Sequence, residues 1–387
     1  HIIDGVEMEF VYVLDTEAPV EIMVWLPQLK AFCTAEDMTH NMHNLQTLRG
    51  AKVRNGLLWS KAIDTAIERY GDQVEVSFST HHWPTWGNER IVDYWEAQRD
   101  MYRYLHDQTL HLANRGLTPD EIAEEMKLPA SLASQFNCRG YYGTLSHNVK
   151  AQYDLYFGWF NGNPAHLNPL PPSELGSKYV EAIGGADKVL EVAKASYAKG
   201  EYRWVATLLD NLVFAEPENK EARRLLADTY TQLGYQAESG PWRNFYLTGA
   251  RDLFKKDVPY TSQLINDGVL AQMDMGTLLD YCAIQLNGEK AAGKEAVINI
   301  NFTDTKEKVM LMLNNGVLNH RLDSQDEKAD LTLEIEKMDF IKLFFGRTDL
   351  QTLLKTNKVR TTGNTQAMDV ICSAYEPADP NFKIVLP

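Results

Sequence analysis

Apolar residues recur along this chain in three different rhythms, and no single sheet or helix bundle can satisfy all of them. Up to about residue 87, short β-type runs alternate with turns: VEMEFVYVLD, EIMVWLP and KAFCTAE, then a helix-like SKAIDTAIERYG that feeds the strand VEVSFST. A helix feeding a strand that ends in polar residues is an α/β pattern, whose ligands gather at the carboxyl ends of strands. Residues 88–255 follow the 3.6-residue period of helices. Residues 256–387 return to alternation, with EAVININFT, KVMLMLNNGVLNHRL and ADLTLEIEK, the Asn315-Gly316 pair marking a hairpin turn. At 387 residues the chain exceeds one ordinary core, so the three rhythms are expected to be three domains, 1–87, 88–255 and 256–387.

Within the helical region, NERIVDYWEAQRDMYRYLHDQTLHLANRG carries aromatic and aliphatic residues at three- and four-residue spacing and stops at Gly116. LTPDEIAEEMKLP predicts a helix capped by Thr118, with Pro119 first inside and Glu121 closing a capping box. Ala193 and Gly200 recur 34 residues later as Ala227 and Gly234, and Pro217 follows the second helix. That period resembles a tetratricopeptide helix pair. Too few repeats follow for a solenoid, so a packing or dimerisation module is expected here. The third region reads as an α+β layer, one sheet with helices on one face, holding either a plain core or a slot for an alkyl chain.

Composition removes several functions. A formal net charge of −15 would repel nucleic acid phosphates and discourage loose adsorption of anionic amphiphiles. Cys33, Cys138, Cys282 and Cys372 are widely spaced without a C-x-x-C pair, so buried thiols are expected and not a zinc finger or disulfide framework. No apolar run approaches the ~20 residues that span a bilayer; Val20–Leu26 is interrupted by Glu21. The opening HIIDGVEMEFVYV reads as the middle of a strand pair, without an initiator methionine or basic n-region. A preceding segment, with any localisation signal, is expected to be missing.

The chemistry should therefore sit in the first region. Glu17 in DTEAP, Glu36 in TAED and His81 in STHHWPTW each follow a β-type run, so all three can project from one rim of a sheet. Carboxylate oxygens and imidazole nitrogens are ordinary zinc ligands.

Four blocks carry a resemblance: TEAPVE, TAEDMTHNMHNLQTLRGAKVR, FSTHHWPTWGNERIVDYWEAQRDMYRYLHDQT and RGYYGTLSHNVKAQYDLYFGWFNGNP. They resemble the alkyl sulfatases of the metallo-β-lactamase superfamily, which hydrolyse dodecyl sulfate and similar esters. The resemblance covers the whole chain. It implies the C-terminal part of a metallo-β-lactamase αββα domain, a helical dimerisation domain, and a sterol-carrier-protein-like α+β domain. It further implies two Zn2+ ions, a homodimer, and a periplasmic or secreted location in a bacterium.

By the resemblance, Glu17 is a ligand of one zinc, Glu36 bridges both ions, and His81 closes the second, with His82 the second choice. Asn44, Arg49 and, less centrally, Arg54 are implied in sulfate binding. His147 of TLSHN would donate to the sulfate or its leaving oxygen, with Tyr153 nearby. One departure stands out. The first metal motif of the superfamily, T-H-x-H-x-D-H, is absent, since neither the HNMH of 40–43 nor the HH of 81–82 fits it. The chain can supply fewer than half of the implied ligands, so a separate N-terminal segment would have to complete the site. The readings that follow are an alkyl sulfate hydrolase, another dizinc hydrolase on the same scaffold, or a catalytically silent dimeric lipid-binding fragment.

Overall fold

The alternation of the first region folds into one mixed sheet with its helices on one face. The computed structural model describes residues 1–254, 266–379 and 381–387. They form two compact units, the first from residues 1–254 with 383–387 and the second from the remainder. The boundary expected at 255/256 lies outside the described residues. Residues 383–387, expected in the third region, group with the first unit, where Val385 and Leu386 pack on its helical core.

In the first unit, β1 (Ile2–Ile3) and β2 (Val6–Glu7) make a small hairpin. Asp4 and Gly5 form its turn, both with the positive φ that a two-residue turn needs. VEMEFVYVLD is therefore two strands and not one. The main sheet runs β3 (Glu9–Leu14), β4 (Val20–Leu26), β5 (Ala31–Cys33), β6 (Val76–Phe78) and β7 (Thr85–Trp86) in that spatial order. Only β5 and β6 are parallel. α1 (Gly56–Tyr70) makes the crossover between them; Asn55 caps it by accepting from the amides of Leu57 and Leu58.

Val11, Val13, Met23, Trp25 and Phe32 alternate onto the face that α1 covers. There the Phe32 ring lies 5.0 Å from Tyr70 and 5.2 Å from Trp95. On the opposite face, Phe10, Tyr12 and Leu14 stand across from Val24, Ile22 and Val20. Apart from the half-buried Val24 they are exposed.

α2 (Asn88–Ala113) packs on α1, stacking Tyr102 on Trp59 at 4.6 Å. α3 (Pro119–Glu125) carries the expected capping box on Thr118 and Glu121. α4 (Ala130–Ala133) and α5 (Leu145–Phe157) follow. One core runs from Val11 to Tyr153, so the packing does not break at residue 87. A second core joins α6 (Pro172–Ile183), α7 (Ala186–Ala198), α8 (Tyr202–Ala215) and α9 (Lys220–Gln236), with α10 (Gly240–Asp252) packed on α9. The 34-residue spacing therefore maps α7 onto α9, but its glycines differ. Gly200 turns the chain at φ +78°, whereas Gly234 lies inside α9, where a Cβ would come 3.0 Å from Leu247.

The second unit has α11 (Asp267–Gln272), α12 (Met275–Ile284) and α13 (Gly288–Ala291). Its strands β8 (Ala296–Phe302), β9 (Lys308–Asn314) and β10 (Val317–Leu322) are followed by β11 (Leu331–Ile335), α14 (Lys337–Phe344), α15 (Leu350–Lys355), β12 (Val359–Gly363) and α16 (Gln366–Cys372). The sheet order is β10-β9-β8-β11-β12, and Asn315-Gly316 makes the two-residue turn between β9 and β10. The alternating side chains Ile298, Ile300, Leu311 and Leu333 pack with Phe340 and Phe344. The cleft of about 370 Å³ between Glu334, Asp339, Lys358 and Arg360 is polar, not an alkyl slot. All four cysteines are free, Cys138 and Cys282 buried and Cys33 and Cys372 half-buried.

Asn148 of α5 is fully buried. It accepts the Leu45 amide at 2.8 Å and donates to the His43 carbonyl at 2.9 Å. Asn148→Ala would orphan both backbone groups and should cost about 2–6 kcal/mol, at roughly 1–3 kcal/mol per buried unpaired group. Urea unfolding of the variant measures this; a change below about 0.5 kcal/mol, typical of a surface substitution, would contradict the arrangement.

Candidate metal centre

Because β3, β5 and β6 run in the same direction, their carboxyl ends open on one rim, and the loops that leave them carry Glu17, Glu36 and His81. The loop after β5 is turned sharply. Ala35 has φ +48°, the Asp37 amide donates to the Thr34 carbonyl at 2.9 Å, and Thr34 Oγ1 donates to the Met38 carbonyl at 2.9 Å. This turn lifts Glu36 to the rim. There its carboxylate meets two imidazoles: His43 Nε2 is 3.3 Å from Oε2, and His81 Nδ1 is 2.5 Å from Oε1. Thr80 Oγ1 donates to the same Oε1 at 3.3 Å. The hydrogen bond from His43, helped by the positive potential of His43 and His81, outweighs the cost of burial and holds Glu36 down at about 2.

Among the described residues, one atom each from Glu17, Glu36 and His43 comes within 4.8 Å of the other two. His43 is the member that no sequence motif pointed to. Its ring Nδ1 sits 3.0 Å from the Asn44 carbonyl, which favours the tautomer with the proton on Nδ1. With Nδ1 turned to that carbonyl, Nε2 faces the carboxylates, and a metal taken up there would replace the proton that Nε2 shares with Glu36. Its main chain is held on both sides, the amide by Tyr102 Oη at 3.1 Å and the carbonyl by Asn148. Gly143 lets a second loop press against it, since a Cβ there would be 2.5 Å from the His43 carbonyl oxygen. Two carboxylates and an imidazole gathered this closely repel unless a proton or cation intervenes, and they are donors that zinc accepts. The residues present fit a divalent metal.

Arg54 is the hub of the other side. Its guanidinium holds the Glu17 carboxylate and carbonyl and reaches both the Asn44 side chain and, at 2.9 Å, the Asn44 carbonyl. In this arrangement the fork of Arg54 is occupied by protein. Asn44 is buried, its Oδ1 taken by Arg54. Arg49, in contrast, is exposed, and no hydrogen bond or ion pair engages it among the described residues. It lines a cleft of about 270 Å³ with Glu17, Thr47, Lys52 and Arg54. The pairing of Arg49 with Asp37 that its sequence neighbourhood allows does not form. Asp37 is fully buried, accepts the Glu17 amide at 3.4 Å, and is pushed up to about 8 by burial. A second cleft of about 280 Å³ is lined by Glu36, Asn41, His43, His81, His82 and Tyr142.

The remaining candidates lie around this centre. His82 Nε2 pairs with Asn41 Nδ2 at 3.1 Å. His147 has both ring nitrogens engaged. Nε2 donates to the Gln46 carbonyl at 2.7 Å, Nδ1 accepts from the Trp242 indole at 3.0 Å, and burial pushes its pKa down. In this arrangement it is a tether and not a free donor. Tyr153 is buried, its ring 4.8 Å from Phe157.

Family models described as "Alkyl sulfatase dimerisation" and "Alkyl sulfatase C-terminal" match residues 118–256 and 263–387. A linear primary-alkylsulfatase from Pseudomonas sp. is 45% identical over the whole chain, which covers 58% of that protein. A second, from Pseudomonas sp. (strain ATCC 19151), is 31% identical over 97% of the chain, which covers 72% of it. A solved stereoselective inverting sec-alkylsulfatase from Pseudomonas sp. superposes with a TM-score of 0.96 at 41% identity, covering 100% of this chain and 61% of that one. The chain thus spans about three fifths of the first of these relatives and of the solved structure.

The two arginines should separate in stability. Arg54→Ala strips a part-buried Glu17 carboxylate and Asn44 of their partner and should cost about 3–5 kcal/mol, as breaking a buried pair does. Arg49→Ala should stay within about 0.5 kcal/mol of wild type. Denaturant midpoints of both variants test this; equal losses would contradict the assignment of roles.

Proposed function

Since the chain belongs to the alkylsulfatase family, we propose that it hydrolyses alkyl sulfate esters, of the dodecyl sulfate type, to an alcohol and inorganic sulfate. The observation that carries the reading is the Glu17, Glu36 and His43 cluster, which shares Glu17 with a cleft lined by arginines and Glu36 and His43 with a cleft lined by imidazoles and Tyr142. Glu17, Glu36 and His43, with His81 on the outer oxygen of Glu36, would hold the metal, expected as two zinc ions with further ligands from outside this chain. When bound, zinc supplies Lewis acidity at the ester.

This chain's own residues then have separate tasks. A sulfate monoester spreads one negative charge over three oxygens, and a guanidinium offers such an anion two parallel charge-assisted hydrogen bonds. Arg49 is the arginine free to do so. Asn44 has its oxygen held by Arg54, which leaves the Nδ2 donors for the anion. Arg54 positions Glu17 and Asn44 relative to each other. His147 acts at one remove, fixing through Gln46 the loop that carries Asn44 and Arg49. The family match over residues 118–256 supports a homodimer built on the helical region.

Three variants test the reading on the zinc-loaded protein. Glu36→Gln should lower zinc content, because a neutral amide is a poorer metal ligand than a carboxylate. Arg49→Ala should keep its zinc yet lose on the order of 2–4 kcal/mol of transition-state stabilisation in kcat/KM for dodecyl sulfate. Arg49→Lys should recover part of that, since an ammonium keeps the charge without the fork. Full zinc occupancy in the first variant would remove Glu36 from the metal site. Hydrolysis within about threefold of wild type in the second would remove Arg49 from the anion site.

A further inference from the structure

We propose that the exposed aromatic wall of Trp83, Phe136 and Tyr141 is the seat of the substrate's alkyl chain. The proposal rests on the sulfatase reading and adds the side from which the ester approaches. Trp83 and Phe136 are 57% and 53% exposed in this chain, and large apolar groups clustered on a surface mark an interaction site. Their rings form a continuous run: Trp83 lies 6.3 Å from Phe136, and Phe136 5.6 Å from Tyr141.

The wall is held from behind. The Trp83 ring lies 5.0 Å from His40, which is stacked on Tyr94 at 5.1 Å and pairs through Nε2 with Thr85 Oγ1 at 3.1 Å. Across the run, the Arg139 guanidinium covers the Tyr141 ring at 5.7 Å. Rings so supported present a preformed surface, not collapsed side chains.

Continuity with the metal centre gives the wall its occupant. His82, which lines the cleft beside Glu36, is 5.9 Å from Trp83. Tyr142, adjacent in the chain to Tyr141, lines the same cleft with its ring 4.8 Å from His43. Cationic Arg49 and Lys52 lie in the other cleft, which shares Glu17 with the cluster. The cluster thus joins a cleft carrying cations to a cleft that the aromatic wall borders, a combination that suits an ester with an anionic head and an apolar tail. A protein of net charge −15 repels anionic amphiphiles elsewhere on its surface, which favours one seat over general adsorption.

The test is binding of non-hydrolysable 1-butanesulfonate, 1-hexanesulfonate and 1-octanesulfonate, below micelle formation, to the zinc-loaded protein by calorimetry. Wild type should gain roughly two- to fourfold in affinity per added CH2, as partial to full burial of a methylene gives. Trp83→Ala/Phe136→Ala should flatten that slope to below about 1.5-fold per CH2 while leaving butanesulfonate affinity within about twofold. Trp83→Phe should keep the slope, which separates lost contact area from a disturbed loop. An equally steep slope in the double alanine variant, or no slope in wild type that still binds butanesulfonate, overturns the wall as tail site and leaves the sulfate site standing. Failure of wild type to bind either a sulfonate or inorganic sulfate overturns the sulfatase reading, and this proposal with it.

Discussion

A row of buried side chains on α5 holds the loop that carries the centre, and the rest of the site depends on it. His147 donates to the Gln46 carbonyl, Asn148 bonds both the His43 carbonyl and the Leu45 amide, and Gln152 bonds both the Arg54 carbonyl and the Gly56 amide. Asn148 and Gln152 are one helical turn apart, so they fall on one face of α5 and read successive stretches of loop 43–56. An irregular loop buried this deeply would otherwise strand its backbone groups at a cost of several kcal/mol. With them paired, His43, Asn44 and Arg54 are fixed without regular secondary structure.

Charge is then distributed by burial and pairing. Glu17 is matched by Arg54, Glu36 by two imidazoles, and Asp37, fully desolvated beside them, is driven toward its neutral form. Each carboxyl therefore meets a different environment within one short stretch of rim. Among the described residues, Glu17 and Glu36 come together with the His43 ring where one cation can reach all three. Arg49 is left unmatched on the open side, which gives the neighbouring cleft its positive end.

What the sequence made legible was local. The Thr118 and Glu121 capping box, the Asn315-Gly316 turn, and the placement of Glu17, Glu36 and His81 at strand ends each follow from residues a few positions apart. His43 was not legible, because HNMH fits no metal motif and its place is set by Asn148, Tyr102 and Gly143 from far along the chain. Nor could spacing decide which of two loop arginines turns inward. The Arg54 amide donates to the Leu45 carbonyl at 2.8 Å, closing the loop so that Arg54 points in and Arg49 is left at its open end. His147 reads in sequence as a polar group available to a ligand; the carbonyl of Gln46 and the indole of Trp242 supply its partners instead.

If carboxylate oxygen and imidazole nitrogen at this rim form the metal site, the metal itself should report them. Zinc K-edge X-ray absorption on the zinc-loaded protein addresses this directly. The expected spectrum has a first shell of nitrogen and oxygen at about 2.0–2.2 Å, with the outer scattering that imidazole rings produce. A sulfur shell at about 2.3 Å would place the metal on cysteine and contradict a site at this rim.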